Sequence, residues 1–200
     1  AENRLNDVTA LARSVAFDHG RVLIIANQKV QEQLEARIND DRIAFAHFGA
    51  IRGRDVWKDY DAAIVVGREQ PPAWAIEAKA RALFFDDADP FASTPEGGLP
   101  DATRAIRMRD GNAEPVPVSV LSDDRAQRML EQRRECESAQ AIDRLRLIHA
   151  KRPKPVMLLS NIPLDVTVDA VTTWRELMPS RAARAFVDAG GVLPMTATER

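Results

Sequence analysis

The sequence has little cysteine and glycine and no phosphate-binding loop. Its one cysteine, Cys136, excludes an intramolecular disulfide and any zinc site built from several thiolates. The nine glycines form no G-x-x-x-x-G-K-[ST] segment and no G-x-G-x-x-G segment after a strand. The chain therefore cannot cradle a triphosphate with a P-loop of its own. H-E-x-x-H and G-x-S-x-G are also absent, and the three histidines lie far apart in the sequence, which disfavours a metal site among them.

Long apolar runs and an excess of positive charge are missing as well. No apolar stretch approaches the ~20 residues of a membrane span, and the polar residues 1–7 do not have the pattern of a signal peptide. The net charge of −2 excludes a basic nucleic-acid-coating protein but is compatible with a local basic lining. The lone cysteine fits a reducing cytoplasm. The helix-like start without Met predicts a fragment of a longer protein, with removal of an initiator Met before Ala1 as the alternative.

Four apolar runs are long enough for strands and too short for helices. These predicted strands are residues 21–26, 43–48, 61–66 and 155–160. Helical spacing of apolar residues alternates with the first three runs, at residues 5–17, 28–38 and 71–84. The alternation predicts a three-layer α/β domain with a mostly parallel sheet.

The alternation breaks at residues 86–122, which we interpret as an insertion. A loop rich in Asp, Pro and Gly comes first, and a predicted β-hairpin follows, with strands 104–109 and 116–121. Asp123 or Asp124 can then cap a long helix to about His149. Further helices are expected at 167–177 and 180–189. We predict one domain over residues 1–165, followed by a helical tail or the start of another domain over 166–200.

The loop after the second predicted strand has residues suited to binding a ligand. A Gly-rich basic loop and an acidic residue follow the strand, and ligands of open α/β sheets bind at the carboxyl edge. Gly53 permits close backbone approach, and Trp57 can either stack on a ligand or pack in the core. Positive charge comes from Arg52, Arg54 and Lys58. A solvated surface loop with a buried tryptophan explains the pattern equally well.

The long predicted helix carries a second such segment, Glu137 to Arg146. Gln140 and Arg144 are four residues apart and share one face, which Arg133 and Glu137 extend. Arg146 lies about 200° around a regular helix from Arg144, so both can reach one ligand only if the helix ends or distorts near Leu145. A guanidinium aimed at a γ-phosphate stabilises the transition-state charge. The alternative is an exposed face with ordinary ion pairs.

The order of these features resembles the second RecA-like domain of superfamily 2 helicases. The strand 22–26 and its helix resemble the start of that domain. Arg52-Gly-Arg-Asp55 resembles helicase motif V, and Gln140-Ala-Ile-Asp-Arg144 resembles motif VI, Q-x-x-G-R. The likeness is nearest to the helicase-like half of phage and plasmid primase-helicase proteins, and it covers about residues 21–161. The sequence departs from motif VI at Asp143, where most such helicases have Gly, and at Leu147, where many have a second arginine.

The resemblance implies roles for nine residues. Arg144 would be the arginine finger, with Gln140 beside it and Arg146 in place of the second arginine. The nucleotide cleft would be lined by Gly53, Arg54 and Asp55. Nucleic acid would contact Arg52, Trp57 and Lys58.

The resemblance also implies partners. ATP and Mg²⁺ would bind only together with an N-terminal P-loop domain of the same protein, and the substrate would be single- or double-stranded DNA. The chain alone would be inactive, would not associate with a membrane, and would be cytoplasmic.

Two other functions are compatible with the residues. The first is a non-catalytic α/β module for oligomerisation or DNA docking in a mobile-element replication protein, which Asp143 in place of glycine favours. The second is a small-molecule enzyme with a Rossmann-like sheet, which the missing glycine fingerprint disfavours.

Overall fold

A computed structural model describes residues 2–192 of the chain. The strands are β1 (Val22–Ala26), β2 (Ile43–His47), β3 (Ala62–Val66), β4 (Asp101–Arg107), β5 (Ala113–Ser119) and β6 (Val156–Leu159). The α-helices are α1 (Glu2–His19), α2 (Gln28–Glu35), α3 (Ala73–Leu83), α4 (Asp124–Asp143), α5 (Trp174–Leu177) and α6 (Arg181–Asp188). A short 3-10 helix, Leu147–His149, follows α4.

The core is a four-stranded sheet in the order β2-β1-β3-β6, and all neighbouring strands pair in parallel. The central strand β1 is fully buried along its whole length, as a strand covered on both faces must be. All four apolar runs predicted as core strands are confirmed. Asp61 holds the amino ends of β1 and β3 together, because its carboxylate accepts a hydrogen bond from the Arg21 amide at 2.9 Å.

The sheet is the middle one of three layers, as the alternation predicts. Helices α1 and α2 cover one face and pack against Val22, Ile24 and Ile64. The other face packs against the β2–β3 connection and the last part of α4, through Ala141 and Leu145. The arrangement is three-layer α/β and compatible with the RecA-like class.

The hairpin β4–β5 is present but lies about three residues earlier than predicted. Its register runs from Asp101 opposite Ser119 to Arg107 opposite Ala113. The connection between the strands is therefore residues 108–112, which include Asp110 and Gly111. Pro115 and Pro117 in β5 have no N–H to offer a further strand, which protects an outer edge of the hairpin from pairing.

Two predicted helices are shorter than expected. Helix α4 ends at Asp143 instead of His149. The helix predicted over 167–177 is confined to Trp174–Leu177, where Thr173 forms a capping box with Glu176. The preceding residues 167–173 form no helix, and Val168 pairs with Met108 beside the hairpin. β-Branched residues such as Val168 favour extended backbone, which outweighs the helical spacing of this segment.

The C-terminal helices pack against α1. The Phe17 and Phe186 rings meet edge to face with centroids 5.5 Å apart. Asp7 accepts hydrogen bonds from Trp174 at 3.2 Å and from Arg184 at 2.9 Å. The tail, as far as residue 192, is thus docked on the helical face of the domain. Within residues 2–192, no helix has the length and apolar character to cross a membrane.

Asp123 joins the insertion to the start of α4. It is only 5% exposed, caps α4 and accepts a hydrogen bond from the Ala92 amide at 3.0 Å. The Arg125 guanidinium, which lies over the Phe91 ring, donates to both carboxylate oxygens. These bonds to Arg125 hold the pKa of Asp123 far below its usual range, against the opposing effect of burial.

We predict that Asp123→Asn destabilises the chain while the exposed neighbour Asp124→Asn does not. Asparagine still caps a helix, so the loss is that of the charged hydrogen bonds, about 1–2 kcal/mol of unfolding free energy at neutral pH. A lowered folded-state pKa stabilises the native state above the unfolded pKa of about 3.9, and this contribution declines as the pH falls below it. Urea unfolding from pH 7 downwards should show the gap between wild type and Asp123→Asn narrowing in acid. A constant gap contradicts the prediction.

Candidate functional site

The two segments singled out in the sequence lie in contact. The Arg144 Nη1 group donates to the carbonyl oxygens of Ile51 at 3.2 Å and Arg54 at 3.0 Å. Arg146 donates to the Asp55 carboxylate through Nε at 3.1 Å and Nη2 at 2.5 Å. The end of α4 therefore holds the Arg-Gly-Arg-Asp loop from a position about 90 residues further along the chain.

The backbone after α4 explains how both arginines reach one loop. The helix ends at Asp143, and Leu145 turns into the core with no exposed surface. Arg146 adopts the left-handed conformation, φ 50° and ψ 50°, and among residues 2–192 no other non-glycine residue has a positive φ. This conformation costs roughly 1–2 kcal/mol for a residue with a Cβ. The helix thus ends where the sequence required it to end for the arginines to converge.

The two arginines differ in what they contact. Arg144 is half-buried and donates only to backbone carbonyls. Its third acceptor, for the Nε group, is the Gln140 carbonyl oxygen at 3.1 Å. Gln140 takes part through this carbonyl. Arg146 has a side chain that is 44% exposed, and its partner Asp55 is 59% exposed. Arg144 therefore fixes the loop, whereas Arg146 presents an accessible guanidinium beside an accessible carboxylate.

Arg52 points away from this pair and towards a buried acid. The Glu137 side chain is 3% exposed and accepts hydrogen bonds from the Arg52 guanidinium and from the Gly49 amide, the latter at 3.2 Å. An open cavity of about 180 Å³ lies beside them. Its lining residues are Phe48, Gly49, Arg52, Glu69, Arg133 and Glu137.

The loop does not form one site at the carboxyl edge of the sheet, as its composition suggested. It starts at the carboxyl end of β2 and must reach the amino end of β3, because the strands are parallel. The Asp61 amide accordingly donates to the Arg21 carbonyl, just before β1, at 2.8 Å. Gly49 and Arg52 lie near the carboxyl edge, whereas Asp55, Arg144 and Arg146 lie further towards the amino edge.

The Trp57 and Lys58 side chains form no hydrogen bond or ion pair with either group. Trp57 is 7% exposed and packs in the core cluster with Tyr60 and Leu23. The sequence left open whether Trp57 stacks on a ligand or packs in the core. In the structure it packs in the core, so its ring has no free face for a base. Lys58 is exposed, and its carbonyl accepts a hydrogen bond from Lys154 Nζ at 2.6 Å. Gly53, with φ 68°, is exposed at the turn of the loop.

Two functional features were missed in the sequence. Glu137 was assigned only to a helix stripe, although it lies four residues before Ala141 of the apolar face, which packs on the sheet. Glu69 and Arg68 follow Gly67 at the end of β3, a position where ligand-binding residues of α/β sheets are commonly found. Their place directly after a predicted strand is the sequence signal by which Arg68 and Glu69 could have been found.

Comparison with protein-family models, with curated proteins and with solved structures gave no match to this chain. The function must therefore be argued from geometry. Within the part of the chain that the structure describes, no three His, Cys, Asp or Glu residues are grouped so that they could hold a metal ion.

We predict that Arg146→Gly is more stable than Arg146→Ala by about 1 kcal/mol. Both variants lose the Asp55 ion pair, but only glycine relieves the left-handed backbone. Chemical denaturation of the two variants measures the difference directly. Equal stability would mean that residue 146 is not held in the left-handed region in solution.

We also predict that Arg52→Ala destabilises the chain by about 1–3 kcal/mol, whereas Arg54→Ala changes the unfolding free energy by less than about 0.5 kcal/mol. Without Arg52, the buried Glu137 carboxylate loses its counter-ion. The Arg54 side chain is exposed, and only backbone atoms of Arg54 are hydrogen-bonded to described residues. Adding Glu137→Gln to Arg52→Ala should recover part of the loss, since it removes the uncompensated charge. No recovery in denaturation experiments contradicts this role of Glu137.

Proposed function

We propose that this chain is the second RecA-like half of an ATP-dependent nucleic-acid motor, which closes on a P-loop domain and supplies an arginine to its nucleotide. The observation that carries the proposal is the contact between the Arg52–Asp55 loop and the arginines that end α4. Helicases of this type need their motif V and motif VI segments side by side, and the two segments of this chain that resemble those motifs are hydrogen-bonded to each other. The parallel three-layer fold supports the same assignment.

Within this proposal, Arg146 is the residue that contacts phosphate and Arg144 is a positioning residue. Arg144 is committed to three carbonyl oxygens, so it holds the loop in register. Arg146 is exposed and bound to one exposed carboxylate, so a phosphate can replace Asp55 at small cost. A left-handed arginine where glycine would be less strained also supports a requirement for its side chain.

The residues fit one end of ATP. Arg146 suits a terminal phosphate, and exposed Arg54 adds positive charge nearby, whereas the described residues offer no metal cluster. ATP with Mg²⁺ would supply the phosphoryl group, and the P-loop domain would hold both. This chain contributes the guanidinium, its orientation and the loop that fixes it. A cytoplasmic location fits the unpaired Cys136.

The test is ATP hydrolysis, with DNA present, by the protein that contains this chain together with its P-loop domain. Arg146→Ala should lower kcat by about 10³-fold, the usual contribution of an arginine finger, with an unchanged melting temperature or a small shift. Arg144→Ala should lower both the melting temperature and kcat, because the loop loses its anchor. Arg128→Ala, an exposed arginine on α4, is the matched control and should change neither. Full activity of Arg146→Ala overturns the finger assignment.

A second candidate function is a non-catalytic docking or oligomerisation module. The ion pair between Arg146 and Asp55 favours it, because the positive charge is already balanced within the chain. So does the exposed Asp143 at the end of α4. In this case the intact protein hydrolyses no ATP with any nucleic acid, while this chain alone still binds DNA or itself. Sedimentation and ATPase measurements on the same preparations separate the two candidates.

A further inference from the structure

A network of charged side chains lies between the hairpin and α4. The Arg134 side chain is 1% exposed; it donates to the Glu135 carboxylate at 2.7 Å and to the Ser119 carbonyl at 3.1 Å. Arg104 of β4 pairs with Glu131 and approaches Glu135 at 3.9 Å. Two arginines and two carboxylates are thus balanced in this network.

Arg68 lies near this network and forms no ion pair with a described residue. It follows Gly67 at the end of β3 and is half-buried. In the described part of the chain it donates only to neutral amide oxygens, those of Gln70 at 3.0 Å and Asn161 at 2.9 Å. Burial, and then the nearby charge of Arg134, lower the pKa of Arg68, against the opposing effect of Glu135.

We propose that Arg68 anchors a phosphate-binding site at the carboxyl edge of the sheet, separate from the Arg146–Asp55 pair. Ligands of parallel α/β sheets bind at this edge, and the ends of β3 and β6 meet here through Arg68 and Asn161. The Nη2 group of Arg68 donates to none of the described residues. This N–H group is therefore available to donate to a phosphate oxygen.

Neighbouring residues support a phosphate as the ligand. The 180 Å³ cavity near this edge is lined by Arg52 and Arg133 together with the carboxylates Glu69 and Glu137, and Arg52 is paired with Glu137. Arg133 is exposed, so a second guanidinium is available at this edge. The phosphate belongs either to a polynucleotide backbone or to a free nucleotide or inorganic phosphate. The chemistry at Arg68 is the same for both sources, and binding measurements separate them.

The experiment measures binding by the whole chain, without ATP hydrolysis. The probes are a fluorescein-labelled oligo-dT strand by anisotropy at several salt concentrations, and ADP and inorganic phosphate by calorimetry. For whichever probe the wild type binds, Arg68→Gln should lower the affinity by roughly tenfold, equivalent to about 1.4 kcal/mol. If that probe is the strand, the slope of log K against log salt should also fall by about 1.

Two controls distinguish ligand binding from a structural role. Asn161→Ala removes the amide that holds Arg68 but keeps the charge, so it should leave the salt slope unchanged. Arg107→Gln removes an exposed arginine paired with Asp165 and should have little effect on any probe. The proposal is overturned if wild type binds none of the three probes, if Arg68→Gln binds like wild type, or if Asn161→Ala reproduces its loss. The role of Arg146 is tested by ATP hydrolysis and the role of Arg68 by ligand binding. Either proposal can therefore fail without the other.

Discussion

The direction of the strands imposes the constraint on which the rest of the structure depends. Since β2 and β3 are parallel, the chain between them must return across the whole face of the sheet, and it does so without a helix. Such a connection has few internal hydrogen bonds, so it needs partners elsewhere. Ile51, Trp57 and Tyr60 bury its apolar side, and α4 supplies the polar partners: Glu137 for the Gly49 amide and Arg144 for two carbonyls. The basic loop is therefore held by apolar contacts with the core and by polar contacts with α4.

The same requirement explains why one helix carries such different charged residues. Glu137 is buried and faces an N–H and a guanidinium, whereas Arg144 faces carbonyl oxygens and Arg146 faces a carboxylate. Each side chain matches the polarity of the loop atom that it meets. After these matches, the accessible charges of the loop are Arg54, Lys58, Asp59 and the exposed pair Arg146–Asp55. The site is a small part of a mainly structural contact.

The sequence predicts the parts of the fold that depend on local pattern. Continuous apolar runs identified all four core strands, of which the central β1 and β3 are buried on both faces. The end of α4 could not be placed, since Leu145 is pulled into the core and Arg146 takes a conformation that no local preference favours. Trp57 remained ambiguous because a tryptophan in a basic loop looks the same whether it stacks or packs. The split of the loop between two ends of the sheet is a consequence of topology, which composition alone does not contain.

Helix α4 connects the two candidate sites physically. Glu137 and Arg144 are seven residues apart, about 10 Å along one helix, with their partners on one short loop. About one turn before Glu137 the same helix carries Arg134 and Glu135, which lie near Arg68 at the carboxyl edge. A rigid helix that contacts both groups transmits any displacement of one to the other, provided that its packing has two arrangements. The buried Arg134 and Leu145 fix α4 near each end of this span, so a ligand at either site acts on the orientation of a single element.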